Sequence, residues 1–579
     1  MLPSCYRRIL IILSLALMVV ASCSPAAKLI VEGGEKQVRD QPRLLKPGPF
    51  VLIFAFDGAG YAQLMDALNS GKAPNMSALL GKDMGGGVYE HAYSAPNAIS
   101  ILPSTTIAAW SSIFTGKGPA HTGVTGNEWF VREQMKFYAP APVSIEETDD
   151  VLKMIAEDLV GNSVRSATLF ELAKVKSSVS LNPVYRGADI FTALPTTSML
   201  SVATSFMAGN MEQSSEKQNI YERMDRDSVP RLIESINTHG LANLQVVYFP
   251  GIDLYTHLAH DPLQMEVSYL ENVTDPLVGD VLKAYQEKGV LDDTYVVFIA
   301  DHGHTPVLKD SSHALGMQPN NEPAQVVKAA GFRIRPFVLE PGPDEQDYQA
   351  AFAYQGAIAY VYLADRSTCP KEGDRCDWNQ PPRFDRDVMP VANAFYKANR
   401  VGGADGQLKG AIDLIFARRP SPPGKDTLPF QIYDGKKLVP IPAYLEEHPR
   451  PDLIDLDERM RWLAVGPYGN RAGDILLLSK TGLERPIYQR YYFSGPYYSW
   501  HGSASMQDSH IPLIVARRNY SGAKLQEVVH RAAPELVPSQ LDLVPIVRAL
   551  LTTGPPGGTQ QPPVSAATAP SATPAAKSR

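Results

Sequence analysis

Acidic and histidine residues stand at four separated places in the sequence, and at three of them an apolar run comes shortly before. In chain order they are Asp57, Asp253 with His257, Asp301 with His302, and His501. Carboxylate and imidazole are ligands that zinc prefers, and two ions need about six protein ligands with positions left open. The pattern therefore predicts a site for two divalent cations.

The spacing within two of these places supports the prediction. Asp253 and His257 are four residues apart, so on one helical turn they face the same way and can grip one ion. Asp301 and His302 are adjacent at the end of an apolar run, where a sharp turn can aim both at a second ion. Each feature alone has an ordinary alternative, a helix-surface pair or an Asx turn, and only the combination is specific.

A hydroxyl run supplies a candidate nucleophile. Ser104, Thr105 and Thr106 stand directly before the apolar segment IAAWSSIF, whose spacing suits a short buried helix. A hydroxyl at the first turn of a helix lies beside free backbone N–H groups and the positive end of the helix dipole, where a phosphoryl or sulfuryl group is held well. The alternative is an ordinary N-cap.

Strands and helices alternate along the chain, which predicts an α/β fold with a mostly parallel sheet. We expect buried strands at Phe50–Phe56, Val179–Leu181, Leu244–Phe249, Tyr295–Ala300 and Ile511–Ala516, and helices near Leu169–Lys174, 263–288 and Leu541–Leu551. Ala357–Leu363, Ile412–Phe416 and Asp474–Leu478 are also predicted strands, and Asp434-Gly435 is the predicted turn of a hairpin. Ligands bind at the carboxyl edge of such sheets, where Asp57 and Asp301 stand.

The N-terminus has the features of an export signal. Arg7 and Arg8 precede the apolar run Ile9–Val20, and the Val-Ala-Ser-Cys sequence that ends at Cys23 resembles a bacterial lipobox. We expect cleavage before Cys23 and lipidation of its thiol, which would anchor the protein to a membrane of the cell envelope, on the periplasmic side or at the outer membrane. An ordinary signal peptide is the alternative, and it also implies export.

The remaining composition fits an exported globular protein. Cys369 and Cys376 lie in a polar loop, which in an oxidising compartment predicts a small loop-closing disulfide. The net charge of −7 without a long basic run does not suggest nucleic-acid binding. We divide the chain into a signal peptide (1–22), a tether (23–49), a first core part (50–316), a mixed region of core and inserted cap (317–495), a second core part (496–551) and a disordered Pro/Ala-rich tail (552–579).

Taken together, these motifs resemble the alkaline phosphatase superfamily, and within it the nucleotide pyrophosphatase/phosphodiesterase branch. The resemblance rests on VLIFAFDG, PSTTIAAWSSIFTG, HTGVTGNEW, DLYTH, ADHGHTPV and HGSASMQDSHIPLI, and it spans Phe50 to about Leu551. It implies an alkaline-phosphatase-like three-layer sandwich, with helices on both faces of the central sheet and an inserted cap region.

The resemblance also implies roles for single residues. One zinc ion would be held by Asp253, His257 and His501, and a second by Asp57, Asp301, His302 and the nucleophile Thr106, while Asn127 would contact a phosphoryl oxygen; other divalent ions are alternatives to zinc. Two departures stand out. T-I-A-A-W replaces the usual T-F-P-N-H, which leaves Thr105 as a rival nucleophile, and Pro-Gly-Ile replaces the usual acidic residues before Asp253.

We therefore expect an exported two-metal hydrolase that cleaves phosphodiester or pyrophosphate bonds of small molecules through a phospho-threonine. A phosphomonoesterase on the same scaffold is the nearest alternative; it needs further cations, for which Lys174, Lys176 and Arg186 are available. A sulfatase is disfavoured because no C/S-x-P-x-R segment stands at the nucleophile. The alternative from another class is a non-catalytic binding lipoprotein of the envelope.

Overall fold

The computed structural model describes residues 35–194, 215–316, 322–403, 408–421, 424–535 and 537–552. The predicted signal peptide, Cys23 with the first part of the tether, and the tail beyond Thr552 lie outside the described residues. Within the described residues, no helix combines the length and the apolar character that crossing a membrane requires.

Within the ranges that the structure describes, twenty strands build two large sheets and two small ones. They are β1 Glu35–Gln37, β2 Phe50–Phe56, β3 Asp83–Gly85, β4 Val88–Tyr89, β5 Ala92–Ser94, β6 Trp129–Val131, β7 Lys136–Tyr138, β8 Ser177–Ser180, β9 Ile190–Thr192, β10 Leu244–Phe249, β11 Thr294–Ala300, β12 Thr305–Pro306, β13 Ala350–Tyr354, β14 Ile358–Leu363, β15 Ile412–Ala417, β16 Gln431–Tyr433, β17 Leu438–Pro440, β18 Ile475–Ser479, β19 Ser499–Trp500 and β20 Leu513–Ala516. The central sheet has ten strands in the order β1-β9-β8-β10-β2-β11-β20-β5-β4-β3.

The middle of the central sheet is parallel and fully buried. Strands β9, β8, β10, β2 and β11 run parallel, and antiparallel strands flank them on both sides. Every residue of β2, β10 and β11 is buried, as continuous apolar runs predict for strands covered on both faces. The predicted α/β fold with a mostly parallel central sheet is confirmed.

Eighteen helices connect and cover these sheets in the described residues. They are α1 Tyr61–Asn69, α2 Pro74–Leu80, α3 Thr106–Ile113, α4 Pro119–Thr122, α5 Asp149–Ala156, α6 Leu159–Ser163, α7 Leu169–Ala173, α8 Ser215–His239, α9 Gly251–Leu258, α10 Pro262–Tyr269, α11 Asp275–Glu287, α12 Glu322–Ala329, α13 Met389–Val401, α14 Ile441–Glu447, α15 Leu456–Ala464, α16 Met506–Ser509, α17 Gly522–Ala532 and α18 Leu543–Thr552. The helical stretch predicted near 263–288 is confirmed: α10 and α11 form one continuous helical stretch from Pro262 to Glu287, joined by a π-helical segment at Leu270–Thr274.

The strands predicted between residues 317 and 495 form a separate sheet. Its six strands follow the order β13-β14-β18-β15-β16-β17, and all neighbours are antiparallel. The predicted hairpin is β16 and β17, where the Asp434 carboxylate accepts hydrogen bonds from two backbone N–H groups of the turn. The predicted disulfide joins Cys369 to Cys376, beyond the end of β14.

A buried carboxylate fixes the short helix α9, which follows β10. Asp225 of α8 accepts hydrogen bonds from the backbone N–H of Gly251 at 3.0 Å and from the hydroxyl of Tyr269 at 2.9 Å. The N–H groups at a helix start have no partner within the helix, so the Asp225 carboxylate satisfies one of them. Burial raises the pKa of Asp225 to about 7.

This raised pKa predicts a pH dependence of stability. An acid with a higher pKa in the folded state binds its proton more tightly there, so stability falls as pH rises from about 4 to 7. Asp225→Asn keeps an acceptor oxygen without the charge and should make this slope shallower, by about 1.4 kcal/mol per pH unit. Urea unfolding from pH 5 to 8 measures the slope, with the exposed Asp280→Asn as the matched control. Equal slopes for wild type and Asp225→Asn would contradict the assignment.

Candidate metal centre

The register of the parallel strands places the first two acids side by side. Phe56 of β2 pairs with Ala300 of β11, so the next residues, Asp57 and Asp301, leave the sheet together at its carboxyl edge. The backbone N–H of Gly58 donates to Asp301 Oδ1 at 3.0 Å, and the hydroxyl of Tyr248 donates to Asp57 Oδ2. Both carboxylates are buried.

His302 completes a first cluster with these two acids. Its Nε2 lies 3.5 Å from Asp57 Oδ1 and 3.4 Å from Asp301 Oδ2. One ligand atom from each of the three residues lies within 4.8 Å of the others, which is a spacing suited to one metal ion. We call Asp57, Asp301 and His302 the first cluster.

Helix α9 and the loop after β19 build a second cluster. The predicted pair on one helical face lies on α9, where His257 Nε2 is 3.5 Å from Asp253 Oδ1. His501 Nε2 approaches the same oxygen from the other side, at 3.7 Å. Asp253, His257 and His501, our second cluster, also offer three ligand atoms within 4.8 Å of one another.

The three histidines share one hydrogen-bonding pattern. The Nδ1 of His257 lies 2.7 Å from the carbonyl oxygen of Ser499, that of His302 lies 3.2 Å from Gly303 O, and that of His501 lies 3.0 Å from Ser104 O. A carbonyl can only accept, so each Nδ1 carries the proton and each neutral ring leaves its Nε2 lone pair facing a carboxylate. This is the tautomer of histidines that bind metals.

The hydroxyl of Thr106 faces the first cluster. Thr106 is the first residue of α3, and its Oγ1 lies 3.5 Å from Asp57 Oδ1 and 3.3 Å from His302 Nε2. Thr105 is fully buried and its Oγ1 has no hydrogen-bond partner among the described residues. The structure thus brings Thr106, and not Thr105, to the carboxylates.

Asn127 lies beside the same helix start. Its Oδ1 accepts the backbone N–H of Ile107 at 2.9 Å, which leaves the Nδ2 amide group for another partner. The Gln355 amide, at the turn between β13 and β14, fixes the backbone there: its Oε1 accepts from Asn127 N at 2.7 Å and its Nε2 donates to Glu128 O at 2.6 Å. All eight predicted site residues therefore lie around the two clusters and the start of α3.

Charge in this site is unbalanced. Burial raises the pKa of Asp57 well above its ordinary value, and the charges of Asp301 and Asp253 raise it further. Burial likewise raises the pKa of Asp301, and burial lowers the pKa of His302 to about 3 and holds those of His257 and His501 below the ordinary value. In the described part of the chain, no lysine or arginine forms an ion pair with Asp57, Asp253 or Asp301.

The residues present fit divalent cations. Asp253 Oδ1 and Asp301 Oδ2 are buried without a hydrogen-bond partner among the described residues, although unpaired buried charge is costly. Imidazole lone pairs face these oxygens at 3.4 to 3.7 Å with no proton between them. A cation bound by both groups removes the conflict, and carboxylate with neutral imidazole is the donor set of zinc-like ions.

Sequence reasoning missed part of this arrangement. It assigned no ligand role to His304, yet His304 is fully buried with its Nε2 3.0 Å from Asp253 Oδ1. It also gave no role to Tyr248 and Gln355, which hold Asp57 and the Asn127 loop. The Asp-His-Gly-His spacing could have pointed to His304, whereas the contact of Gln355 crosses more than 200 residues and leaves no local signal.

Comparisons with known proteins point in the same direction as the motifs. The profile of the family described as "Type I phosphodiesterase / nucleotide pyrophosphatase" matches residues 51–375, more than half of the chain. No curated protein sequence matches it significantly.

Two solved structures of low sequence identity are similar to the chain. Inactive murine ectonucleotide pyrophosphatase/phosphodiesterase 5 in complex with AMP is 12% identical, over 88% of this chain and 96% of that one, with a TM-score of 0.48. Phosphonoacetate hydrolase from Sinorhizobium meliloti 1021 in complex with phosphonoformate is 15% identical, over 89% and 99%, with a TM-score of 0.45.

Because the buried carboxylates lie close together, we predict that removing one of them stabilises the metal-free protein and weakens metal binding. In protein stripped of metal, Asp301→Asn should raise the unfolding midpoint, because it removes one of the mutually repelling charges while Asn keeps the acceptor for Gly58 N–H. The gain should grow as pH rises above about 4, since a raised carboxyl pKa gives stability at low pH that is lost at higher pH.

Thermal unfolding of metal-free and zinc-loaded protein measures both effects. Zinc should stabilise the wild type and should stabilise Asp301→Asn far less. The exposed Asp292→Asn serves as control and should match the wild type in both states. A metal-free midpoint for Asp301→Asn at or below the wild-type value, together with undiminished stabilisation by zinc, would contradict this account.

Proposed function

Because the chain belongs to the type I phosphodiesterase/nucleotide pyrophosphatase family and is a phosphoric ester hydrolase, we propose that it cleaves phosphodiester or pyrophosphate bonds through a phosphorylated Thr106. The observation that carries the proposal is the position of one hydroxyl. Thr106 Oγ1 stands at the start of α3, 3.3 Å from His302 Nε2 and 3.5 Å from Asp57 Oδ1. A hydroxyl at this position lies next to the first cluster and at the positive end of the dipole of α3.

The metal-binding residues in this proposal are the two clusters and Thr106. Asp57, Asp301, His302 and the Thr106 hydroxyl would hold one zinc or similar divalent ion, and Asp253, His257 and His501 would hold a second. When bound, such ions make a hydroxyl acidic enough to attack and stabilise the entering and leaving oxygens of an in-line displacement.

The chain's own residues then position the reacting groups. Thr106 Oγ1 attacks the phosphorus of the bound ester, the bond to the leaving oxygen breaks, and the phosphoryl group is carried by Thr106. The Nδ2 amide of Asn127 and the backbone N–H groups at the start of α3 donate to the non-bridging oxygens, which carry the developing charge. A water then attacks the same phosphorus, the bond to Thr106 Oγ1 breaks, and the phosphate monoester that Thr106 carried is released. A proton from the water restores the Thr106 hydroxyl.

Two of the three cations suggested for a phosphomonoesterase are occupied elsewhere. The Arg186 guanidinium bonds to the Glu171 carboxylate and to the carbonyls of Gly161, Val164 and Ser166. The Lys176 ammonium donates to the carbonyl of His239. Two divalent ions beside three carboxylates would leave one positive charge, which balances a phosphoryl group with one negative charge but not the doubly charged phosphoryl group of a monoester. A diester, or a pyrophosphate attacked at a phosphorus that is linked on both sides, presents one negative charge at the reacting phosphorus, so this balance favours the diester or pyrophosphate class.

The nucleophile and the substrate class can be tested together. Zinc-loaded Thr106→Val should lose turnover of bis-nitrophenyl phosphate by about 10³-fold or more, because the attacking oxygen is gone. Thr105→Val is the matched control. The Thr105 hydroxyl is buried and has no hydrogen-bond partner in the part of the chain that the structure describes, so turnover should stay within about twofold of the wild type.

Nitrophenyl phosphate, the monoester, is assayed in parallel. Wild type should prefer the diester. Higher turnover of the monoester would overturn the proposed substrate class. Loss of turnover in Thr105→Val, with Thr106→Val still active, would identify Thr105 as the nucleophile instead. Negligible turnover by the wild type with metals bound would favour the non-catalytic binding lipoprotein.

We also propose that the protein is exported and anchored to the cell envelope by lipid on Cys23. The proposal rests on the lipobox-like sequence before Cys23, and the Cys369–Cys376 disulfide agrees with an oxidising compartment. In a bacterial host, the wild type should fractionate with membranes and Cys23→Ala should be soluble or retain its signal peptide. Membrane association of a processed Cys23→Ala protein would contradict lipid anchoring.

A further inference from the structure

We propose that His304 is a further metal ligand, which binds the same cation as Asp253. This inference rests on the proposed metal-dependent function and concerns a residue outside both clusters. His304 belongs to the loop that follows β11, two residues after His302, and its side chain is fully buried.

The ring of His304 is held in the same way as the rings of the clusters. Its Nδ1 lies 3.1 Å from the Ser499 hydroxyl oxygen, and that hydroxyl in turn donates its only proton to the carbonyl of Thr256 at 3.2 Å. Ser499 Oγ must then accept from His304 Nδ1–H, which leaves the lone pair on His304 Nε2. Three proposed ligands, His257, His302 and His501, share this tautomer.

The Nε2 atom of His304 lies beside the Oδ1 atom of Asp253. His304 Nε2 and Asp253 Oδ1 are 3.0 Å apart and both are buried, yet neither has a hydrogen-bond partner among the described residues. The separation is short enough for a hydrogen bond, but with the ring proton on Nδ1 no proton stands between Nε2 and the carboxylate oxygen. Two lone-pair atoms this close are arranged like neighbouring ligands of one ion.

The space beside these two atoms is kept open by a glycine. A Cβ on Gly58, whose φ is +67°, would lie 2.5 Å from His304 Nε2 and 2.9 Å from Asp253 Oδ1. The ligand atom of His302 is also within 4.8 Å of those of Asp253 and His304. His304 thus lies close both to Asp253 of the second cluster and to His302 of the first, where the two proposed ions would be neighbours.

Metal binding, measured without substrate, tests the assignment. Wild type, His304→Leu, His304→Gln and Ser499→Ala are freed of metal and titrated with Zn²⁺ against a chromophoric chelator, and bound metal is counted by elemental analysis. His304→Leu should weaken one of the two ions by about 100-fold or more, beyond the usual effect of residues that only orient a ligand. The zinc affinity of His304→Gln should lie between those of wild type and His304→Leu. Ser499→Ala should lose less affinity than His304→Leu, because the Ser499 carbonyl still holds His257.

The visible spectrum of bound Co²⁺ separates a ligand from an orienting residue. Loss of a ligand changes the absorption per bound ion, so His304→Leu should differ from wild type. The exposed His448→Leu is the control and should match wild type in affinity, stoichiometry and spectrum.

Two results would overturn the inference. One is wild-type affinity and spectrum in His304→Leu; the other is weaker affinity with an unchanged cobalt spectrum, which would make His304 an orienting residue only. If the wild type bound no divalent ion, the proposed function would fail as well. Either of the two results for His304→Leu would refute the role of His304 only and would leave the proposed function intact.

Discussion

The structure depends on one unresolved electrostatic conflict at the carboxyl edge of the central sheet. Buried carboxylate oxygens of Asp253 and Asp301 lack hydrogen-bond partners in the described part of the chain, and the imidazole lone pairs of His257, His302 and His501 face these acids. Such an arrangement is costly in the protein alone, and it persists only because the surrounding structure holds each group. The rigid parallel strands β2, β10 and β11 supply that support, since they are buried on both faces.

The antiparallel sheet contributes to the site from outside the core. Its β13–β14 turn inserts Gln355, Gly356 and Ala357 between two site loops. Gln355 fixes the backbone at Asn127, and the Ala357 N–H donates to the carbonyl of His501 at 3.0 Å. Gly356 permits the approach, because a Cβ there would lie 2.4 Å from that carbonyl. The second sheet therefore positions both Asn127 and His501, and a displacement of this turn would move the proposed phosphate-binding amide and the proposed metal-binding imidazole together.

The sequence predicts best what depends on local pattern. Continuous apolar runs predict β2, β10 and β11, and the i, i+4 spacing predicts that Asp253 and His257 share a face of one helix. The convergence of distant acids also follows, because parallel strands end at one edge of the sheet. Contacts between remote segments are different. The role of Gln355 has no local signature, because it arises from how the second sheet packs. The Asp-His-Gly-His spacing draws attention to His304, but its position against Asp253 arises from how the β11 loop packs.

The two clusters are mechanically and electrostatically one unit. The loop after β11 carries Asp301, His302 and His304 and continues into β12, whose two residues pair with β19, and His501 follows β19 directly. Ser499 of β19 holds His257 through its carbonyl and His304 through its hydroxyl. The charge of Asp253 in the second cluster also raises the pKa values of Asp57 and Asp301 in the first. A cation at either cluster would therefore change the charge that the other one experiences, and a shift of the β12–β19 bridge would displace residues of both. Affinity for the two proposed ions is in consequence a property of the shared loop, and it cannot be divided between two separate sets of side chains.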